Sequence, residues 1–213
     1  MKAGNRSLAL AALALCAPFA IMADGTNVPG PAPEARPAAE KEGSDRAKAV
    51  FARIQTLLRE KKHSEAEKLL LELLLDDSLD PKPRRQALKQ LASQIVWGSP
   101  REAKQLLEQA QTIPPSSIHD KVEAQICMGH VFALLGRPEH ALEVWLPILD
   151  WRDAHPARRS EAAHQIGLTC RSKGDLEGAR KYFRLAVEHG RKVQYKFDYG
   201  ASEKALAELD GKN

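Results

Sequence analysis

A short segment recurs in this chain at a fixed interval. Gly98-Ser-Pro-Arg-Glu-Ala103, Gly136-Arg-Pro-Glu-His-Ala141 and Gly174-Asp-Leu-Glu-Gly-Ala179 place their glycines 38 residues apart, and their alanines likewise. A weaker copy ends in Ser64-Glu-Ala66, 37 residues before Ala103. A period of this size means stacked supersecondary units, each too small to bury its apolar face alone. The local chemistry names the unit. Glycine ends a helix in the left-handed conformation without a Cβ penalty. Ser64, Ser99 and Asp175 are then placed to cap the next helix, and Pro100 and Pro138 stand in first turns that have no use for an N–H.

Each alanine is followed four residues later by a large apolar residue (Leu70, Leu107, Trp145, Phe183) and seven residues later by another apolar one (Leu73, Ala110, Ile148, Ala186). That spacing puts all three on one helical face. The helices before the turns carry stripes of their own: Ile126, Gly129, Phe132 and Leu135, then Ala163, Ile166, Gly167 and Cys170. The expectation is an all-α solenoid of four helical hairpins near 47–76, 84–112, 119–152 and 157–190. The repeats span about 44–80, 81–118, 119–156 and 157–191. The segment 192–213 supplies a tail and a capping helix over 195–209, with Ala201, Ala205 and Leu209 in one row. Pro147, inside the second helix of the third hairpin, predicts a kink there that acts together with Trp151.

These residues resemble the tetratricopeptide repeat family. Met128-Gly129, Phe132, Gly136, Ala141, Trp145 and Ile148 follow the family pattern in the third copy. Ile166-Gly167, Cys170, Gly174, Ala179, Phe183 and Ala186 follow it in the fourth. In the first two copies Ile54 and Leu91 stand where the family has its helix-packing glycine. The period exceeds the family's usual value of about 34 by about one helical turn, which predicts longer second helices. In the family the first helices line a concave groove that binds peptides. Carried over, this surface consists of Phe51, Gln55 and Arg59, then Arg85, Leu88, Ala92 and Ile95, then Ile126, His130 and Leu134, then His164, Leu168 and Arg171. It reads as apolar in the middle and basic at both ends, suited to an apolar peptide with acidic flanks. The Lys/Asn arrangement with which some members clamp a C-terminal carboxylate is missing.

The N-terminus reads as an address. Lys2 and Arg6 precede an uncharged, mostly apolar run from Ser7 to Ala23, the layout of a signal peptide cleaved before Asp24. An uncleaved anchor is the alternative, and only then is a membrane a partner. Leu15 before Cys16 argues against a lipoprotein. Residues 24–43, with Pro29, Pro31, Pro33 and Pro37, read as a Pro/Ala-rich disordered linker. Export implies a bacterial periplasm or cell envelope.

Composition sets aside other functions. Without Lys2 and Arg6 the formal net charge of +4 falls to +2, so no nucleic-acid footprint remains. The seven histidines include no HExxH pair, and Cys127 with His130 offers two metal ligands without a third. Cys127 and Cys170 read as buried thiols, with a bridge as the alternative. No nucleophile elbow, phosphate loop or carboxylate pair stands out. The chain is therefore read as a non-enzyme without cofactor: an exported scaffold or adaptor whose partner is a protein or peptide. Self-association is the alternative, marked by any exposed Trp97, Trp145 or Trp151, and a hydrolase or metal-binding protein, which would show as bound metal, is a further one.

Overall fold

The computed structural model describes residues 36–193 and 199–211, and among them all regular structure is helical. The first hairpin pairs α1 (Arg36–Arg59) with α2 (His63–Leu74). The second pairs α3 (Pro81–Ile95) with α4 (Pro100–Gln111), and the third α5 (Ile118–Leu134) with α6 (Pro138–Asp150). The fourth pairs α7 (Pro156–Ser172) with α8 (Leu176–Arg191), and α9 (Gly200–Leu209) follows. Positions 1–35, with the expected signal and cleavage site, lie outside the described residues. So does most of the expected linker; its residues 36–43 belong to α1.

The repeat row is the core. Ala66, Leu70 and Leu73, Ala103, Leu107 and Ala110, Ala141, Trp145 and Ile148, and Ala179, Phe183 and Ala186 are all buried. Trp145 and Phe183 are among the largest fully enclosed side chains. Gly129 and Gly167 make room for them: a Cβ on Gly167 would come within 2.7 Å of the Phe183 ring, and one on Gly129 would overlap the Trp145 indole. In the first two hairpins the same pair of positions holds Ile54 with Leu70 and Leu91 with Leu107, all buried. A small residue opposite an aromatic ring is exchanged for two aliphatic side chains of middle size. Total volume at the contact is roughly kept, the condition for a close-packed core.

α5 is apolar on more than one side because it is packed on more than one side. Its Cys127, Met128 and Val131 join the core of the first two hairpins, while Val122 and Ile126 join that of the last two. α3 contacts α5 and α5 contacts α7, so these first helices lie side by side, whereas no two second helices are packed to a similar extent. The array therefore curves with its first helices on the inner face.

Helix ends are closed by varied devices. Gly136 (φ 70°) and Gly174 (φ 81°) take the left-handed turn, as expected, but Gly98 does not, and in the first hairpin Lys61 (φ 60°) takes it without being glycine. Asp175 caps α8 through a bond from the Gly178 N–H at 2.8 Å, whereas Ser99 makes no side-chain cap bond and Ser64 lies inside α2. Ser117, absent from the sequence expectation, caps α5 by accepting the Asp120 N–H at 3.1 Å. Arginines of other elements satisfy carbonyls at helix C-termini. Arg84 reaches the Asp76 carbonyl beyond α2 at 2.7 Å, and Arg180 the Leu209 carbonyl of α9 at 2.7 Å.

Two expectations need correction. The second helices of the first three hairpins are not lengthened: α2 and α4 have 12 residues each and α6 has 13, against 17 each in α5 and α7, and only α8, with 16, is long. The surplus over the family period lies in the first helices and in the connections 75–80, 112–117 and 151–155. In α9 Ser202 and Ala205 are buried and Leu206 and Leu209 pack against the last core, while Ala201, expected in that row, is exposed. Ser202 bonds His164 of α7 at 2.8 Å, which ties the cap to the last hairpin. α6 runs through the expected kink site at Pro147 to Asp150, with Pro147 on its exposed side.

Candidate functional site

The inner face carries an open groove of about 650 Å³. Gln55 and Leu58 of α1 form one wall. Lys82, Gln86, Lys89, Gln90, Ser93 and Gln94 of α3 run along it, followed by Val96 and Trp97 in the turn after α3. The facing side is built by Ser116 and Ser117, then by His119, Asp120, Glu123, Ile126, Cys127 and His130 of α5, and Arg158 and Glu161 of α7 complete it. The contributing helices are thus the first helices of all four hairpins.

An ion network forms its floor at the end where α3, α5 and α7 begin. Arg85 Nε donates to Asp120 at 2.8 Å, and its guanidinium also reaches the carbonyls of Ile113, at 2.7 Å, and Ala110. Lys89 pairs with Asp120 and, at 3.2 Å, with Glu123. Arg158 links Glu123 at 3.0 Å to Glu161 at 2.8 Å, and His119 lies 3.1 Å from Glu123. Burial on its own would raise the Asp120 carboxyl. Hydrogen bonds from Lys89, the Ser116 N–H and Arg85 outweigh it and hold the group down at about 2. Lys82 has no ion-pair partner among the described residues.

The other end is aromatic. Trp97 is 70% exposed and its ring lies 5.8 Å from that of His130, which in turn stands edge-on to Trp145 at 5.6 Å. Trp145 is anchored by donating its Nε1–H to the Ile126 carbonyl at 3.2 Å. Burial pushes the His130 pKa down, partly offset by Glu161, so the ring is neutral at pH 7. Burial also pushes the Cys127 thiol up to about 12. Cys127 and Cys170 are both free and buried. Thiols kept protonated in this way are poor nucleophiles and poor metal ligands. Among the described residues no group of three or more His, Cys, Asp and Glu is placed to hold a metal ion. No described helix is long and apolar enough to cross a membrane.

The structure distributes the sequence-derived groove residues unevenly. Gln55, Ile126 and His130 line the groove. Leu88, Ala92, Ile95 and Phe51 are core, and Arg85 is buried beneath the groove in the ion network. Arg59, Leu134 and Arg171 are exposed outside it, Arg171 paired with Glu208 of α9 at 3.1 Å. His164 and Leu168 are half-buried outside it, against α9 and the last core. The surface is accordingly rich in amides and charge-balanced rather than apolar with basic ends. The missed residues include Gln86, Gln90 and Ser93, one helical step from the expected row on α3, the charged groups Lys82, Lys89, Asp120, Glu123, Arg158 and Glu161, and Trp97. Of the three tryptophans Trp145 is 1% exposed, and Trp151 is half-buried with Lys121 over its ring at 4.4 Å.

Residues 160–188, within α7 and α8, match the tetratricopeptide repeat. No curated protein sequence matches the chain. Among solved structures it is similar to "MamA 41-end from Desulfovibrio magneticus RS-1", with a TM-score of 0.53 and 18% identity over 79% of this chain and 95% of that one. It is similar also to "MamA RS-1 ArsTM double mutant", with a TM-score of 0.52 and 19% identity over 78% of this chain and 96% of that one. At such identities the likeness concerns the fold, and the fold of this chain is a tetratricopeptide-like all-α solenoid of helical hairpins.

Proposed function

We propose that this protein is an exported adaptor of the cell envelope that binds a segment of a partner protein along the groove of its first helices. The observation that carries the reading is the groove itself. One continuous concave surface draws on all four hairpins, is lined by amides and paired charges, and ends at an exposed tryptophan. Such a surface offers hydrogen bonds and one aromatic anchor but no activated nucleophile, which suits recognition rather than chemistry. A stacked array also binds with little rearrangement. The setting rests on Lys2, Arg6 and the apolar run to Ala23.

The test is affinity capture from an envelope extract of the native organism with two full-length baits. One is wild type, and the other carries Ser93→Arg in the groove. A discrete protein retained by the first and lost with the equally helical second supports the reading; equal retention places the binding surface elsewhere. The exposure of Trp97 favours a second reading, self-association. A mass that rises with concentration and falls back in Trp97→Ala would establish it.

A further inference from the structure

We infer that the groove's ligand, on the reading just proposed, is an extended segment of about seven residues with an acidic side chain at one end and an aromatic ring at the other. The two anchor points stand at the two ends of α3, Lys82 in its first turn and Trp97 in the turn that follows it. Lys82, in the first turn of α3, is exposed in the groove without an ion-pair partner among the described residues, while the neighbouring Arg158 and His119 are engaged by Glu123. Trp97 stands just past the far end of α3, backed by the neutral His130 ring and open on its other face. An added carboxylate at the first end therefore meets uncompensated positive charge, and an aromatic ring at the second end completes a stack.

Distance and hydrogen bonding decide the conformation. From Lys82 to Ile95 the helix rises about 20 Å. An extended chain covers that with about six residue steps. A helical ligand satisfies its own main-chain N–H and C=O groups and would leave the groove's amides without partners, whereas an extended chain offers them both groups along its length. Between the anchors, Gln86, Gln90 and Ser93 present amide and hydroxyl groups, which suit a peptide main chain because they donate and accept.

The test uses an array of seven-residue Ala/Ser peptides with Asp at one end and Phe at the other, in both orders. Matched peptides carry Lys for Asp or Ala for Phe. Full-length wild type is expected to favour Asp over Lys peptides about tenfold. Lys82→Glu should invert that ratio, and Trp97→Ala should bring the Phe-over-Ala ratio to one. Both side chains are exposed, and circular dichroism confirms that the variants fold. Absence of peptide binding, or a charge preference untouched by Lys82→Glu, overturns the inference. Binding that Ser93→Arg abolishes but that shows no acidic or aromatic preference overturns the ligand class while leaving the groove reading intact. Binding that survives Ser93→Arg overturns both.

Discussion

Gly129 of α5 lies directly against the indole of Trp145 in α6, with no room for a Cβ between them. The contact joins the two helices of the third hairpin at the point where the ring is 1% exposed. Gly129→Ala is expected to destabilise by about 2 kcal/mol, because the ring must move off its rotamer or the helices must part. The pair Gly129→Leu with Trp145→Leu copies the Leu91/Leu107 arrangement of the second hairpin. It should recover part of what either single change loses. Urea denaturation of the four proteins reads the coupling; strict additivity would show that the two positions are not in packing contact.

Asp120 holds Arg85 and Lys89 together beneath the groove. Asp120→Asn leaves two desolvated cations without a carboxylate and should cost about 3 kcal/mol at pH 7. The pH dependence has a definite sign. The folded-state pKa of about 2 lies below the unfolded value, so the contribution is complete above about pH 4 and is lost as pH falls through about 2. Urea midpoints for wild type and Asp120→Asn should therefore converge between pH 4 and 2. A gap that persists unchanged at pH 2 would contradict the assignment.

Lys61 adopts the left-handed conformation (φ 60°) that Gly136 and Gly174 take in later hairpins. A side chain there costs about 1 kcal/mol, part of which glycine returns as unfolded-state entropy. Lys61→Gly is expected to raise stability by about 0.5 kcal/mol, read as a higher urea midpoint with an unchanged slope. A lower midpoint would mean that the Lys61 side chain contributes more than its backbone costs.

The Cys127 thiol is buried and pushed up to about 12. Iodoacetamide at pH 8 should leave Cys127 unmodified in the native protein and label it fully in urea, as peptide mass mapping would show. Rapid native labelling would mean that α5 opens locally.

The sequence makes the alanine-centred rows legible because each second helix buries a single stripe. Ala141, Trp145 and Ile148 can face only one way without exposing an indole. The first helices were harder to read, for a physical reason. α3 packs against α2, α4 and α5. It therefore buries both Leu88, Ala92 and Ile95 and the adjacent Ala87 and Leu91, and only a narrow strip is left for the groove. That strip is polar, with Lys82, Gln86, Gln90 and Ser93, a pattern equally suited to a helix face turned to bulk solvent. Arg85 looks made for solvent, yet carbonyls and a carboxylate from 25 to 35 residues away enclose it. Trp97 stood out as a residue type, but its exposure depends on how the second hairpin meets the third.

Site-specific photo-crosslinking tests the central claim, that the inner face is the binding surface, most directly. A benzophenone side chain is placed in the full-length protein at Gln86 or Ser93 in the groove, or at Gln105 or Arg184, exposed on the second helices α4 and α8. After irradiation in native cells, the account predicts one discrete crosslinked partner from Gln86 and Ser93 and none from Gln105 or Arg184. Crosslinks from the second helices alone would contradict it.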